Sequence, residues 1–374
     1  MINTTFMNHL EKIASFLQTS SKTVVFMTTL IACEKTGSQV AQPLTLQNSA
    51  SFPIGFAVDH TAMKNNTLYQ KTVLDQAGSI TAENVMKPSQ INAQKGIFSF
   101  EKADYLIDVA KAQGKRIHGH TFVWYTNTAP TWMKQIKDST ELETALKNYI
   151  QTVGMHFKGK VASWDVVNEA FDNATGEIRM ASTDEKGQTL LNLGGVIGKD
   201  YVARMFQYAH QADPEALLFY NEYGQETNTK KLDAVLKMVA DFKKRSVPVH
   251  GLGLQMHISI NTPNAGIENA IQKYADTGLL VHISELDIAI NPARTKDLAI
   301  TAELLDKQLQ KYKFVVAAYK RIVPAKQQFG ITMWGVSDAN SWIPGFCSCT
   351  DFPLLFDGQY KAKPAYDGFI GGLK

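Results

Sequence analysis

Eight apolar segments of strand length recur along the chain from residue 52 onward: FPIGFAVD, SITAENVMK, KRIHGHTFVWY, VASWDVVNEAF, ALLFYNEYG, VHGLGLQMHIS, LLVHISELDIAI and GITMWGVSD. Amphipathic helical stretches lie between most of them, and several of these stretches end at or near a glycine, such as Gly114 and Gly278. Strands that alternate with helices indicate parallel β–α units. Eight such units in about 320 residues predict one (β/α)8 TIM barrel of the α/β class. An open, doubly wound sheet is the alternative, but eight even repeats favour closure.

Nearly every segment becomes polar or aromatic at its carboxyl end. The endings are Asp59, then Glu83, Asn84 and Lys87, then His120 and Trp124, then Asn168 and Glu169, then Asn221 and Glu222, then Gln255 and His257, then Glu285 and Asp287, and finally Trp334 and Asp338. Barrel enzymes build their active sites on that face. One strand that ends in glutamate is unremarkable, whereas eight polar endings on one rim predict a site.

Two carboxylates of this rim are candidates for catalysis. Glu169 follows the fourth segment and Glu285 lies in the seventh, so their side chains can face each other across the barrel mouth. Paired carboxylates across a cleft suit cleavage of a glycosidic bond, with one protonated and the other ionised. Asp287 lies on the same strand face as Glu285, and His257 comes from the neighbouring strand, where it can hold a carboxylate ionised.

The tryptophans also favour a sugar substrate. All five lie on or just after the strand segments, and none is predicted within a helix: Trp124, Trp132, Trp164, Trp334 and Trp342. Flat rings at a pocket mouth suit stacking on sugar rings. Within its strand, Trp164 is predicted to pack in the core, whereas Trp342 lies in the loop DANSWIPG and is a candidate for the site.

Two other functions stay open at this point. His118 and His120 form an H-x-H pair, which with His257, His282 and Asp287 would suit a metal-dependent amidohydrolase. Those enzymes carry the pair on the first strand, whereas here it lies on the third. A protein that only binds glycans is the other alternative, although binding alone requires neither Glu169 nor Glu285.

Composition and the N-terminal segment bear on location. The net charge of +3 comes without a basic block, so no nucleic-acid partner is implied. Residues 1–33 are predicted to be a signal peptide, because KTVVFMTTLIAC has a basic flank and an apolar stretch too short to span a membrane. Leu30 to Cys33 is typical of a lipobox, so we expect an exported protein, anchored in a membrane by lipid on Cys33 at the periplasmic or cell-surface side. Otherwise it would be secreted. Residues 34–50 are predicted to be a polar tether and residues 51–374 the catalytic barrel.

The remaining cysteines, Cys347 and Cys349, form a C-x-C pair. Two sulfurs are too few for a structural zinc site, and a disulfide at this spacing is tightly constrained. We therefore expect two small loop residues there.

From about residue 52 to residue 371 the chain resembles glycoside hydrolase family 10, the endo-1,4-β-xylanases. WDVVNE resembles the family's acid/base motif and ISELDI its nucleophile motif; ENVMK, GHTFVW, LQMH, ITMWGVSDANSW and LLFDGQYKAKPAY match in family order. The resemblance implies hydrolysis of internal β-1,4-xylosidic bonds of xylan by retaining double displacement, with Glu169 as acid/base and Glu285 as nucleophile. It implies that His257 and Asp287 tune these two. It also implies sugar contacts on the non-reducing side of the cut from Glu83, Asn84, Lys87, His120, Trp124, Asn168, Gln255, Trp334 and Trp342.

The chain departs from the family pattern near the cleavage point. Tyr125 replaces a usual histidine, Asn127 stands where a glutamine is expected to contact the sugar, and Ile343 replaces a frequent arginine. Glu222 stands for the more common aspartate, and the loop PGFCSCTDF is unusual. Another β-glycan or short xylo-oligosaccharides therefore remain alternative substrates. No metal or organic cofactor is implied, and we expect a monomer.

Overall fold

The computed structural model describes residues 45–126 and 128–374. Within these residues the strands, β1 to β9 in chain order, are Ile54–Val58, Ser79–Ala82, Arg116–Trp124, Ser163–Asn168, Leu217–Glu222, Gly251–Leu254, His257–Ser259, Leu280–Ala289 and Gln328–Met333. Each of the eight predicted segments contains a strand or most of one, and the sixth contains two.

Helices lie between the strands. In the same residues α1 to α14 are Leu46–Ser49, His60–Asn65, Thr67–Gln76, Pro88–Ile91, Glu101–Ala112, Thr131–Lys134, Ser139–Phe157, Leu193–Ile197, Tyr201–Ala212, Thr229–Lys244, Asn264–Asp276, Ala302–Ile322, Ile343–Cys347 and Pro364–Leu373. Short 3₁₀ helices cover Ala325–Gln327 and Asp338–Asn340.

Helix α7 illustrates how the sequence sets these elements. The side chain of Asp138 accepts a hydrogen bond from the backbone N–H of Glu141 and so caps the first turn. Leu142, Leu146 and Ile150 recur every four residues and are all buried. This apolar stripe holds the helix against the barrel.

The strands close into a barrel. Parallel pairing runs from β1 through β2, β3, β4, β5, β6 and β8 to β9, and β9 pairs with β1. Strand β7 pairs with β8 beyond the end of β6, so β6 and β7 share one position. Met256, between them, has a φ of 59°, which interrupts the strand. The barrel therefore has eight positions, and the predicted (β/α)8 fold is confirmed.

The lower barrel interior is filled by rings. Phe219 and Phe329 lie 4.4 Å apart between ring centroids, and His118 and His282 lie 5.0 Å apart. The guanidinium of Arg116 lies 3.8 Å from the Phe329 ring centroid. The interior is thus a packed floor, and the polar carboxyl ends of the strands lie above it.

The folded part begins earlier than predicted. Residues 45–49 were assigned to the tether, but α1 forms there and Leu46 is fully buried. The backbone N–H of Leu46 donates to Oε1 of Gln76, which ties α1 to α3. Leu46 is an apolar residue in an otherwise polar stretch, and this was the sequence feature that could have indicated its burial. The predicted signal peptide, Cys33 and the first part of the tether lie outside the described residues.

Among residues 45–126 and 128–374, none of the helices has the length and apolarity required to cross a bilayer.

Candidate active site

Glu169 and Glu285 both reach the barrel mouth. Glu169 directly follows β4 with a φ of 58°, and its backbone N–H donates to the carbonyl of Asn221. Glu285 lies within β8, and its N–H donates to the carbonyl of Gln255. The two residues are only 8% and 4% exposed. Neighbouring strands therefore fix both backbones while the carboxyl groups stay largely away from solvent.

Three side-chain amides connect the two carboxyl groups. Gln255 Nε2 donates to Glu169 Oε1 at 3.0 Å and lies 3.2 Å from Asn168 Oδ1. Asn168 Nδ2 donates to Glu169 Oε1 at 3.1 Å. Asn221 Nδ2 donates to Asn168 Oδ1 at 2.9 Å and to Glu285 Oε1 at 2.6 Å. Through Asn168 and Asn221 the network joins the two carboxyl groups and fixes them relative to each other.

The surroundings of Glu169 favour its neutral form. Burial raises the pKa of this carboxyl, and the nearby Glu222 and Glu285 raise it further. Hydrogen bonds from Gln255 and from Trp124, whose Nε1 donates to Glu169 Oε2 at 2.9 Å, act in the opposite direction without cancelling the effect. Glu169 consequently retains its proton to higher pH than an ordinary glutamic acid.

Glu285 has a cationic partner instead. His257 Nε2 lies 3.2 Å from Glu285 Oε2, and His257 Nδ1 lies 2.9 Å from Asp287 Oδ2. Burial acts to lower the pKa of His257, but the two carboxylates outweigh it and hold that pKa well above the usual value. The imidazole therefore lies between Glu285 and Asp287 and contacts both carboxyl groups. The two glutamates thus occupy environments of opposite character.

Lys87 organises the opposite side of the mouth. Lys87 is 8% exposed, and its Nζ donates to Asn84 Oδ1 at 3.0 Å. The same Nζ lies 5.2 Å from the ring centroid of Trp124 and 5.9 Å from that of Trp334. Asn84 Nδ2 in turn donates to Glu83 Oε1 at 3.3 Å. The sequence-predicted residues of β2, β3 and β9 therefore form one polar and aromatic wall.

His120 completes this wall. Its ring centroid lies 5.1 Å from that of Trp334, and its Nδ1 lies 2.9 Å from Asp165 Oδ2. Burial alone would raise the pKa of Asp165, but His118 and His120 hold it well below the usual value. Asp165 is therefore an ionised aspartate that orients His120 toward the mouth.

The H-x-H pair is arranged differently from a metal site. His118 Nε2 lies 3.1 Å from the same Asp165 oxygen, and His282 Nε2 lies 2.8 Å from Thr332 Oγ1 in the barrel floor. In the described part of the chain no group of three or more histidine, cysteine, aspartate or glutamate side chains could hold a metal ion. The arrangement gives the amidohydrolase alternative no support.

The tryptophans divide between core and mouth. Trp164 is buried and stacks on Phe122 at 4.1 Å, in agreement with its predicted place in the core. Trp342 is 36% exposed, and its Nε1 donates to Asp287 Oδ2 at 2.8 Å. The prediction that no tryptophan lies in a helix is wrong for Trp132, because the short helix α6 begins directly after Pro130.

The departures near the cleavage point have visible consequences. Asn127 lies outside the described residues, so its predicted sugar contact stays a prediction. The ring of Tyr125 lies 4.5 Å from the guanidinium of Arg179. Arg179 Nε donates to the backbone carbonyl of Glu169 at 3.1 Å, and its Nη2 donates to the hydroxyl of Tyr223 at 3.3 Å. Arg179 therefore supports the backbone of Glu169 and aligns two tyrosines beside it.

Glu222 is paired below the site. It is fully buried, and its Oε1 lies 2.8 Å from Nζ of Lys231, which is also fully buried. The hydroxyl of Tyr220 donates to Glu222 Oε2 at 2.8 Å. Since both side chains are away from solvent, removal of either one would leave its partner buried without an ion-pair contact and would destabilise the fold.

Cys347 and Cys349 are joined by a disulfide bond, and the expectation of two small loop residues is wrong. Helix α13 ends at Cys347, and the next residue, Ser348, has a φ of 51°. This left-handed residue reverses the chain, so the second cysteine faces the first. The loop also contains Ile343, at the first position of α13.

Asp165 and Arg179 belong to the site without having been predicted there, and the contact of the rim residue Asn221 with Glu285 was not predicted either. Asn221 was visible as a polar strand ending, but its contact with Glu285 depends on strand register. Asp165 is a charge inside an apolar strand, which was a usable cue because buried charges are normally paired. Arg179 lies in a loop, where no periodic pattern identifies it.

Comparison with known proteins assigns this geometry to a family. Residues 44–371 match the model of Glycosyl hydrolase family 10. The chain belongs to this family. Every residue named in the barrel mouth, from Glu83 to Trp342, falls within the matched part.

Several known proteins are similar to this chain over most of its length. Endo-beta-1,4-xylanase Xyn10C of Cellvibrio japonicus is 38% identical over 87% of this chain and 56% of its own length. Exoglucanase XynX of Acetivibrio thermocellus is 35% identical over 84% of this chain and 28% of its own length. The chain thus spans about half or less of the length of these curated relatives. A solved structure of a mutant Xylanase10C from Cellvibrio japonicus in complex with xylopentaose has a TM-score of 0.82 at 35% identity, covering 88% of this chain and 69% of that one.

Proposed function

We propose that this family 10 chain hydrolyses internal β-1,4-xylosidic bonds of xylan with retention of configuration. The observation that carries the proposal is the pair Glu169 and Glu285, held by one amide network in environments of opposite character. A neutral acid beside an ionised carboxylate is what retaining glycoside hydrolysis requires. The xylan substrate is inferred from the names of relatives such as Xyn10C and from the xylopentaose complex of a neighbour.

In the first step, Glu285 attacks the anomeric carbon while Glu169 donates its proton to the leaving oxygen. His257, whose Nε2 lies 3.2 Å from Glu285 Oε2, orients the attacking carboxyl group. Asn168, which lies beside Glu169 in the amide network, is placed to hydrogen-bond the 2-hydroxyl of the sugar, an interaction that strengthens in the transition state. A glycosyl ester on Glu285 results, and the leaving sugar departs with the proton from Glu169.

In the second step the ester has removed the negative charge of Glu285, which is one cause of the raised pKa of Glu169. Glu169 can then accept a proton from water as the water oxygen attacks the anomeric carbon, which breaks the bond between that carbon and Glu285 and releases the Glu285 carboxylate. We assign the wall of Glu83, Asn84, Lys87, His120, Trp124 and Trp334, with Gln255 and Trp342, to sugars on the non-reducing side of the cut.

A second β-glycan is the alternative substrate, because one relative of similar identity is named an exoglucanase. Product analysis on xylan, xylo-oligosaccharides and cellulose separates the two. We expect oligosaccharides from xylan and little from cellulose. Proton NMR of the first-formed product should show the β-anomer before mutarotation. Early α-anomer would contradict double displacement, and faster hydrolysis of cellulose would contradict the substrate.

Location and assembly are proposals that rest on the sequence. We propose export, attachment to a membrane through lipid on Cys33, and action as a monomer. We expect Cys33→Ser to move the enzyme from the membrane fraction to the soluble fraction without loss of specific activity. A wild-type protein that is already soluble and carries no lipid would refute the anchor.

A further inference from the structure

A cavity of about 310 Å³ lies beside the nucleophile side of the site. We call it the loop cavity, because residues after β5, β7, β8 and β9 line it, among them Glu226, Thr262, Arg294 and Phe346. It adjoins His257, Asp287 and Trp342. None of the wall around Lys87 contributes to it. The volume lies at the lower end of the range for small-ligand pockets, about 300–1,000 Å³.

Two buried oxygens at the loop cavity have no hydrogen-bond donor among the described residues. They are Glu226 Oε2 and Asp287 Oδ1, and both residues line the cavity. Glu226 is 7% exposed and Asp287 is fully buried. Buried polar atoms are almost always paired in native proteins. A ligand that carries hydroxyl groups would supply the donors that these acceptors lack.

The rim of the loop cavity carries an exposed ring and a cation. Phe346 is 64% exposed, and its ring centroid lies 5.0 Å from that of Trp342. The guanidinium of Arg294 lies 5.6 Å from the Phe346 ring. Within the described residues Arg294 forms no ion pair with a carboxylate. An exposed ring offers a stacking face, and a free guanidinium offers several donors, which is a combination suited to a sugar.

The disulfide fixes this rim. Phe346 and Cys347 are consecutive residues of α13, and both bonded cysteines line the loop cavity. The covalent link between Cys347 and Cys349 restrains the short helix that presents Phe346. The ring is therefore held in position although it is largely exposed.

We propose that the loop cavity binds a single glycosyl substituent of the xylan chain, an inference that rests on the proposed function. A main chain has to leave a site in both directions, whereas a cavity bounded by four loops suits a terminal unit. The sugar ring packs on Phe346, its hydroxyl groups donate to Glu226 and Asp287, and Arg294 donates to its remaining oxygens. These oxygens are hydroxyls in a neutral pentosyl unit and a carboxylate in a uronosyl unit.

The test uses xylo-oligosaccharides of equal main-chain length that are linear, carry one pentosyl branch or carry one uronosyl branch, with the branch at each position in turn. We expect wild type to prefer at least one branched substrate to the linear one by kcat/KM. Phe346→Ala and Arg294→Ala should each reduce this ratio by roughly 3- to 10-fold, the scale of one ring contact, and leave the linear substrate unchanged. Met155→Ala and Arg321→Ala, exposed residues of other helices, are the matched controls.

Absence of any preference for a branch, or a preference that both variants retain, would overturn the proposal and leave a cavity that holds water. Failure of wild type to cleave the linear substrate would instead refute the proposed function. In that event the affinities of the same oligosaccharides, measured by calorimetry, test whether the loop cavity binds the branch. Tighter binding of a branched form that is lost in Phe346→Ala and Arg294→Ala supports the proposal, and equal binding by all three proteins overturns it.

Discussion

We expect Glu169→Ala to be almost inactive on xylan while it still reacts with an aryl xyloside that carries an acidic phenol. A sugar leaving group requires a proton from Glu169, and loss of a positioned general acid costs about 10²–10⁴-fold in rate. An acidic phenol departs without that proton, so the first step survives. Values of kcat/KM on both substrates, which report the first step, give the comparison when they are measured side by side.

The second step of the same variant has no base, so the ester on Glu285 should accumulate and a burst of phenol should appear. Azide attacks without deprotonation and should restore turnover with formation of a β-glycosyl azide. Glu303→Ala, a surface glutamate of α12, is the control and should behave as wild type. Equal slowing of both substrate classes with no effect of azide would mean that Glu169 is not the acid/base.

The pH profile of wild type follows from the same residue. Glu169 acts in its protonated form in the first step, and its pKa is raised by burial, by Glu222 and by Glu285. Activity should therefore persist above the pH at which an ordinary glutamic acid has lost its proton, and fall as pH rises through the raised pKa. The basic limb should be absent from the burst phase of Glu169→Ala.

We expect His257→Ala to lower turnover by about 10²-fold or more, the scale of losing a positioned polar partner at an active site. The substitution leaves Glu285 and Asp287 without the imidazole that lies between them. Because the sugar wall around Lys87 is intact, KM should change less than kcat. Kinetics on xylohexaose, with circular dichroism to verify the fold, provide the measurement.

His156→Ala is a matched control, since His156 Nε2 also lies 2.9 Å from an aspartate, Asp104, but on the outer helices. It should retain full turnover. If His257→Ala also retains full turnover, His257 only fills space and does not position Glu285.

Much of the fold and of the site was predictable from the sequence because barrel strands carry their signal locally. Strand-length apolar segments identified all eight barrel positions, and polar strand endings identified Glu169 and Glu285 before any family resemblance entered. Xylan, in contrast, came from the resemblance, because two carboxylates and a row of tryptophans suit many β-glycans.

Two of the features that were not predicted originate in backbone turns of one or two residues. The break in the sixth strand depends on a positive φ at Met256, and the disulfide depends on one at Ser348. Neither residue is a glycine or asparagine, so no composition cue marks the turn. The contact of Asn221 with Glu285 and the role of Arg179 were missed because both join distant parts of the chain.

The buried pair of Glu222 and Lys231 limits which loops of this barrel can be exchanged with those of a relative. Lys231 Nζ also lies 2.7 Å from Asn173 Oδ1 and 3.4 Å from the ring centroid of Tyr223, so one ammonium joins α10 to the loops after β4 and β5. An aspartate at position 222 would fall short by one methylene and leave a buried ammonium without its counter-ion. Loop exchange with a relative that has aspartate there should therefore transfer the residue at position 231 as well, since the two side chains form one buried pair.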